Sequence, residues 1–148
     1  MKKEKERDIG LLLKQINKQI KKRFDKDLQE YDLTLSQSRV LFFLGFREEE
    51  KTSLKDIEEH LRVTHPTVVG IVKRLEEKGF VITESDSADR RVKLVFITEK
   101  TKGMIQNIDK RGKMMDKKLL KGFSDQEIRE LRRMLSIIEH NLEEDTIC

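Results

Sequence analysis

Apolar residues fall along this chain in two rhythms, and the change between them marks out its elements. From Asp8 to about Leu28, the residues Ile9, Leu12, Leu13, Ile16, Ile20, Phe24 and Leu28 recur at steps of three and four. That spacing predicts one apolar stripe along a long helix, with Lys and Gln on its other faces. Steps of four drift around a straight helix, so the stripe should wrap slightly across its partner. Tyr31-Asp32-Leu33 interrupts it. Thr34 with Gln37 then has the form of a capping box and opens a second helix through Val40, Leu41, Phe42, Phe43 and Leu44. Apolar residues cover most of that helix's circumference, which predicts a central position. Gly45 to Lys51 reads as a charged connection, and Ser53 with Asp56 opens a short third helix whose Leu54, Ile57 and Leu61 share a face.

Thr64 suits the N-cap of a fourth helix, and Pro66 fits its first turn, where the amides lack intrahelical partners. This helix is expected to run to about Lys78, with Gly79 as its stop. Here the rhythm shortens. Phe80–Thr83 and Val92–Ile97 are rich in β-branched and aromatic residues around the polar run SDSADRR, which predicts a two-stranded hairpin. Thr98 then caps a fifth helix carrying Met104, Ile105, Ile108, Met114, Met115 and Leu119, although Gly103 and Gly112 weaken it. Phe123, Ser124, Glu127 and Ile128 form a staple and capping box for a last helix. Within it Ile128, Leu131, Leu135, Ile138 and Leu142 make a seam for a partner helix.

Helix, helix, short turn, helix and hairpin, in that order, is a winged helix-turn-helix. The expected fold is therefore mainly α with a small β-hairpin wing. Residues 33–98 form a winged helix-turn-helix DNA-binding lobe, and residues 1–32 and 99–148 a helical dimerisation region. At about 100° per residue, Val68, Ile71, Val72 and Leu75 of the fourth helix turn inward. Pro66, Gly70, Lys73, Arg74 and Glu77 fall opposite, flanked by Thr67 and Val69. That outer face is small at its start and basic further along, as docking into a major groove requires: close approach and contacts to bases first, then cations for phosphates. Gly70 in mid-helix costs about 1 kcal/mol against Ala, which close approach to a neighbouring surface would offset. A solvated amphipathic helix has the same pattern, and the hairpin tips the balance. Arg90 and Arg91 sit at its turn, where a guanidinium can enter a narrow minor groove. Asp89 is two residues from Arg91, close enough to hold it by a charged hydrogen bond.

In these residues the chain resembles the MarR-type transcriptional regulators. The run DRRVKLVFIT, Asp89 to Thr98, is similar to the family's wing signature D-x-R-x-x-x-L-x-x-T with a difference in wing register, and HPTVVGIVKRLEEKGFV resembles its reading helix and exit. The likeness extends over essentially the whole chain. It implies a homodimer with interleaved terminal helices, bound to a palindromic operator in double-stranded DNA. It also implies Arg91 in the minor groove, oriented by Asp89, and Thr64, Thr67, Lys73 and Arg74 at the major groove or its phosphates. With His65 near the backbone, the expected DNA-facing set is Thr64, His65, Thr67, Val69, Gly70, Lys73, Arg74, Asp89, Arg90 and Arg91. The resemblance further implies a small-molecule effector, an aromatic acid or lipophilic compound, in a crevice lined from the first, second and fifth helices. Phe24, Tyr31, Phe42 and Phe43 are its candidate contacts, although phenylalanines at helical spacing are more often core.

Independently of that resemblance, the winged unit can cover only part of the terminal apolar stripes, so symmetric pairing of two chains is expected. At 148 residues the chain has the length of one ordinary domain. With 41% charged and 36% hydrophobic residues, its periodicity points to helices with charged outer faces rather than disorder. A net charge of +4 is compatible with a polyanionic partner. No apolar run approaches the ~20 residues that span a bilayer, and no signal-peptide pattern is present. Cys148 has no second cysteine to pair with, so a cytoplasmic protein without membrane contact is expected. His60, His65 and His140 are scattered without helical partnering, which predicts no metal site and no cofactor. A phosphate loop, an activated nucleophile and a His–carboxylate cluster are all missing, so the chain is not expected to be an enzyme. The expected function is a homodimeric, sequence-specific DNA-binding regulator, a repressor relieved by a small ligand. The alternative is a helical protein–protein adaptor, which would expose an apolar or acidic patch where this chain has a basic face.

Overall fold

The computed structural model describes residues 8–144, so Cys148 lies outside the described residues. Its elements are α1 (Ile9–Glu30), α2 (Leu35–Phe46), α3 (Leu54–Leu61), α4 (His65–Glu77), β1 (Val81–Ser85), β2 (Lys93–Ile97), α5 (Glu99–Leu119) and α6 (Asp125–Glu144). The chain forms two compact units, residues 1–108 and 109–148, with the boundary inside α5.

In the first unit α2 is central, as its all-round apolar sequence predicts: Val40, Leu41 and Leu44 are buried. Both expected capping boxes form. The Thr34 hydroxyl accepts the Gln37 N–H while the Gln37 side chain accepts the Thr34 N–H, each at 3.2 Å. Ser53 and Asp56 repeat the exchange at 3.1 and 2.8 Å. These contacts satisfy amides that a helix start leaves without partners. Around α2 the core gathers Leu28, Leu33, Ile57, Val68, Val72, Leu75, Phe80, Val81, Val95, Met104 and Ile108. The helix runs past its expected end, through Gly45 and Phe46. Gly45 is a contact point rather than a stop, since a Cβ there would lie 2.7 Å from Cδ1 of Ile105.

The hairpin is antiparallel, pairing Val81 with Ile97 and continuing to Ser85 with Lys93. It is displaced from the expected strands. Phe80 stands outside β1 and is buried, while its carbonyl accepts the Thr98 N–H at 3.1 Å and the Thr101 hydroxyl at 2.5 Å. Polar Glu84 and Ser85 extend β1 instead, carried by the ladder to Leu94 and Lys93. The connection between α2 and α3 adds a short third edge: Ser53 bridges Leu94, and the Val95 N–H donates to the Thr52 carbonyl at 2.9 Å.

Neither Gly103 nor Gly112 interrupts α5. Thr98 precedes it, but its hydroxyl donates to the Gly79 carbonyl at 2.8 Å, tying the start of α5 to the end of α4. Lys102 pairs with Glu48 at 2.7 Å and Glu99 at 3.1 Å, and these hydrogen bonds, Glu48 first, raise its pKa. In the second unit, α6 opens with the expected box between Ser124 and Glu127, at 3.0 and 3.2 Å. The Ser124 N–H holds the Glu127 carboxyl below its ordinary value. Apolar stripes remain uncovered: Leu142 of α6 is 67% exposed and Ile9 of α1 is 64% exposed. Among the described residues, no helix is long and apolar enough to cross a membrane.

Candidate nucleic-acid interface

Two short helices meet at a tight turn before the hairpin begins. α3 ends at Arg62 in the left-handed conformation, φ 55° and ψ 46°, with its N–H on the Glu58 carbonyl. The chain then enters α4 at Thr64. Val68, Val72 and Leu75 are buried and Ile71 is half-buried, while Pro66, Thr67, Val69, Gly70, Lys73, Arg74 and Glu77 are all exposed. This inward and outward division is the one the helical wheel gives.

Local contacts fix where α4 starts and stops. Thr64 occupies the N-cap position without capping a backbone amide; its hydroxyl instead lies 2.9 Å from the Thr67 hydroxyl. One helical turn separates the two threonines, which lets them satisfy each other. His65 Nδ1 hydrogen-bonds the Glu58 carboxylate of α3. At the far end, Lys78 Nζ donates to the Asp32 carbonyl at 2.5 Å and to Gln37 Oε1 at 3.2 Å. Lys100 Nζ donates to the Lys78 carbonyl at 2.9 Å. Gly79 follows at φ 79°, a conformation that suits glycine. The helix is thus clamped at both ends, and its exposed face lies between the clamps.

The tip of the wing is built from two carboxylates. Asp86 donates its N–H to the Val92 carbonyl at 2.8 Å, and its Oδ1 accepts the Ala88 N–H at 3.1 Å. Lys51 Nζ lies 3.6 Å from the same oxygen. Asp89 Oδ1 accepts both the N–H and the Nε–H of Arg91 at 3.1 Å. That second contact is the one expected from the spacing. The Arg91 side-chain hydrogen bond, and next its backbone N–H, hold the Asp89 carboxyl below its ordinary value.

A cleft of about 510 Å³ runs between α4 and the hairpin. Val69 and Lys73 line it from the helix, Thr83 and Lys93 from the strands, and the Thr83 hydroxyl donates to Glu76 at 2.8 Å. Lys73, Arg74, Arg90 and Lys93 have no ion pair among the described residues. Lys93, Thr83 and Asp86 were not singled out by sequence. A lysine inside the apolar run VKLVFI is the signal that points to Lys93. Asp86 has none beyond its place at the start of a polar turn.

Three of the four aromatic candidates also meet. A concavity of about 570 Å³ is lined by Phe24 of α1, by Phe42, Phe43, Arg39 and Arg47 along α2 and its end, and by Arg62 after α3. Phe24 and Phe42 are tilted at 6.4 Å between ring centres, and Phe43 stacks on His60 at 3.9 Å. Tyr31 does not line this space; it packs on the core where the chain reverses at Asp32, φ 53°. Its third wall comes from His60, Leu61 and Arg62 at the end of α3, and no α5 residue lines this concavity.

A family profile described as MarR family matches residues 31–92. The HTH-type transcriptional repressor IacR of Pseudomonas putida is 32% identical over 116 residues, covering 78% of this chain and 68% of IacR. YwoH of Bacillus subtilis (strain 168), named as an HTH-type transcriptional regulator, is 33% identical over 119 residues, covering 78% of this chain and 85% of YwoH. The chain belongs to the MarR family. Solved structures agree on the fold. A point mutant of S. aureus MepR aligns with TM-score 0.80 at 23% identity, over 92% of this chain and 99% of that one. MepR in complex with DNA gives 0.72 at 24% identity over 86% and 98%, and MepR bound to ethidium bromide gives 0.77 at 23% over 93% and 98%. This MarR-family chain is accordingly a transcriptional regulator with a winged helix-turn-helix, the class for which its relatives are named, and not an enzyme.

Proposed function

We propose that this chain is a homodimeric repressor that binds a palindromic operator with α4 in the major groove and the wing in the minor groove. The carrying observation is the wing tip: Asp89 orients an exposed Arg91 beside a reading helix whose outer face is small and then basic. Thr64, Thr67, Val69 and Gly70 meet base edges in this arrangement, with His65, Lys73 and Arg74 at phosphates and Arg90 beside Arg91 on the wing. MepR, a neighbour in fold, has been solved with DNA, which supports the reading. The adaptor alternative finds less support, since Lys73 and Lys93 line the cleft and neither makes an ion pair among the described residues, as is true of the exposed Arg74 and Arg90.

The uncovered apolar stripes of α1 and α6 support pairing of two chains. A two-fold dimer sets its reading helices about one DNA turn apart, ~34 Å. Such a dimer works in the cytoplasm, where the DNA is. Relief of repression is assigned to a small lipophilic or aromatic ligand, with Phe24, Phe42 and Phe43 as contacts.

A mobility-shift titration against the DNA upstream of the protein's own gene, at two salt concentrations, tests the reading. A retarded complex at low salt that weakens with salt is expected. Lys73→Ala should weaken binding across sequences and reduce the salt slope by about one counterion. No complex at low salt would overturn the proposal. Sedimentation of the free protein as a monomer would remove the dimer.

A further inference from the structure

We propose that Glu58 of α3 positions His65 so that binding of DNA takes up a proton from solvent. Its backbone and its side chain act on the same turn. The Glu58 carbonyl accepts the N–H of Arg62, the left-handed residue that ends α3, and that of Val63 at 3.3 Å. The Glu58 carboxylate reaches across the turn to Nδ1 of His65, the first residue of α4. Its side chain is 22% exposed and that of His65 63%, so the carboxylate is largely covered while the ring keeps an open edge. Nδ1 is thus engaged, which leaves Nε2 as the ring nitrogen available to a partner.

The state of the ring on DNA follows from its two partners. A carboxylate only accepts hydrogen bonds, so Nδ1 carries a proton in this contact. A phosphate oxygen likewise only accepts, so a contact with it requires a proton on Nε2 as well. An imidazole held between the two is an imidazolium. Wherever the free ring is neutral, that second proton comes from solvent as the complex forms. The placement of His65 at a phosphate rests on the DNA-binding reading above, whereas its hold by Glu58 stands without it.

The charges around His65 come from few groups. Among the described residues its one ion pair is with Glu58. Pro66, Thr67, Val68 and Val69, within a turn of it on α4, are uncharged. α2 carries no Asp or Glu, and Glu84 of β1 makes no ion pair with the ring. Arg62, three residues earlier, and the positive end of α4 oppose the imidazolium. The Glu58 carboxylate and a phosphate act against both.

Long-range 15N–1H spectra of the free full-length protein across pH report the His65 tautomer and the pH at which its ring is neutral. The neutral ring should carry its proton on Nδ1, and Glu58→Ala should lose that preference. A neutral ring protonated on Nε2 in the wild type overturns the hold by Glu58. At that pH the protein is titrated calorimetrically with duplex DNA from upstream of its own gene, in phosphate and in Tris. The enthalpies should differ by the buffer ionisation of about one proton taken up per protomer. Affinity should fall about tenfold per protomer for each further unit of pH, until the bound ring also releases its proton. His65→Gln should abolish the uptake and keep a weaker complex. Glu58→Ala should do the same, because a released neutral ring can turn its one N–H to the phosphate. A merely structural Glu58 would weaken the complex in Glu58→Ala and leave the uptake in place. Uptake that survives His65→Gln belongs to another group and overturns the proposal, as does a wild-type complex formed without uptake, in which Nε2 accepts from a base. If no complex forms at low salt, the DNA-binding reading falls and the proton coupling with it, while the spectra still decide the hold of Glu58 on His65.

Discussion

Asp89 holds Arg91 at three points, accepting its backbone N–H and its Nε–H on Oδ1 each at 3.1 Å and its Nη2–H on Oδ2 at 3.4 Å, while the Arg91 side chain stays 92% exposed. An exposed pair of this kind adds little to stability. Its effect is to narrow the directions the guanidinium can take. Arg91→Ala should therefore leave the thermal midpoint unchanged and cost about 1–3 kcal/mol in operator binding. Unchanged affinity in a mobility-shift titration would remove the wing from the mechanism.

The same pair fixes a pH dependence. Because the Arg91 hydrogen bonds lower the Asp89 pKa, the contact is fully present above the ordinary carboxylate value and is lost as pH falls through the lowered one. The Arg91 Nε–H resonance should stay constant from neutral pH downward and shift only in acid. Movement near neutrality would mean that another group controls the wing.

Asp86 should matter without touching DNA. Its side chain accepts the Ala88 N–H at 3.1 Å, and Lys51 lies 3.6 Å away. Asp86→Ala removes the acceptor that shapes the turn before Asp89 and should cost about 0.5–1.5 kcal/mol in DNA affinity. Asp86→Asn keeps a side-chain acceptor and loses only the charge, so it should bind nearly as wild type. If Asn falls as far as Ala, the ion pair with Lys51 governs the tip, and Lys51→Ala should then match both.

Local signals carried most of the fold. The boxes at Thr34, Ser53 and Ser124 are written within four residues of sequence, and all three form. The Asp89–Arg91 contact is legible for the same reason. What escaped was set by distant residues. Phe80 has strand propensity, but Thr98 and Thr101 claim its carbonyl and bury it outside β1. Thr52 pairs with Val95 over a separation that no local pattern encodes. The concavity that gathers Phe24, Phe42 and Phe43 takes Leu61 and Arg62 from the end of α3, a meeting of distant segments that no local pattern encodes.

Gly45 illustrates how such packing can be tested. A Cβ at this position would stand 2.7 Å from Ile105 Cδ1, closer than side chains pack. Helix propensity alone would make Gly45→Ala stabilising by about 1 kcal/mol. The clash opposes that gain, since the terminal carbon of Ile105 must shift to make room. Combining Gly45→Ala with Ile105→Val removes the clashing methyl, so the double variant should be more stable than the two single changes add up to. Coupling of at least about 0.5 kcal/mol by urea denaturation is expected. Strict additivity would mean that α2 and α5 do not meet at this point.

Gly70 makes the opposite case. It lies in mid-helix, exposed, and an added Cβ would meet nothing within 4 Å. The fold therefore gains nothing from glycine there and gives up about 1 kcal/mol of helix propensity. A surface that approaches α4 only when the protein is at work supplies a reason, and the floor of a major groove is such a surface. Gly70→Ala should raise the unfolding free energy by up to about 1 kcal/mol and, at the same time, weaken operator binding. Gly70→Leu, with a side chain too large for close approach, should weaken binding further while remaining folded. Stability and affinity moving in opposite directions is the signature of a residue chosen for its partner. If both variants gain stability and bind DNA as wild type does, the groove does not come close to Gly70, and the docking of α4 must be turned toward Lys73 and Arg74.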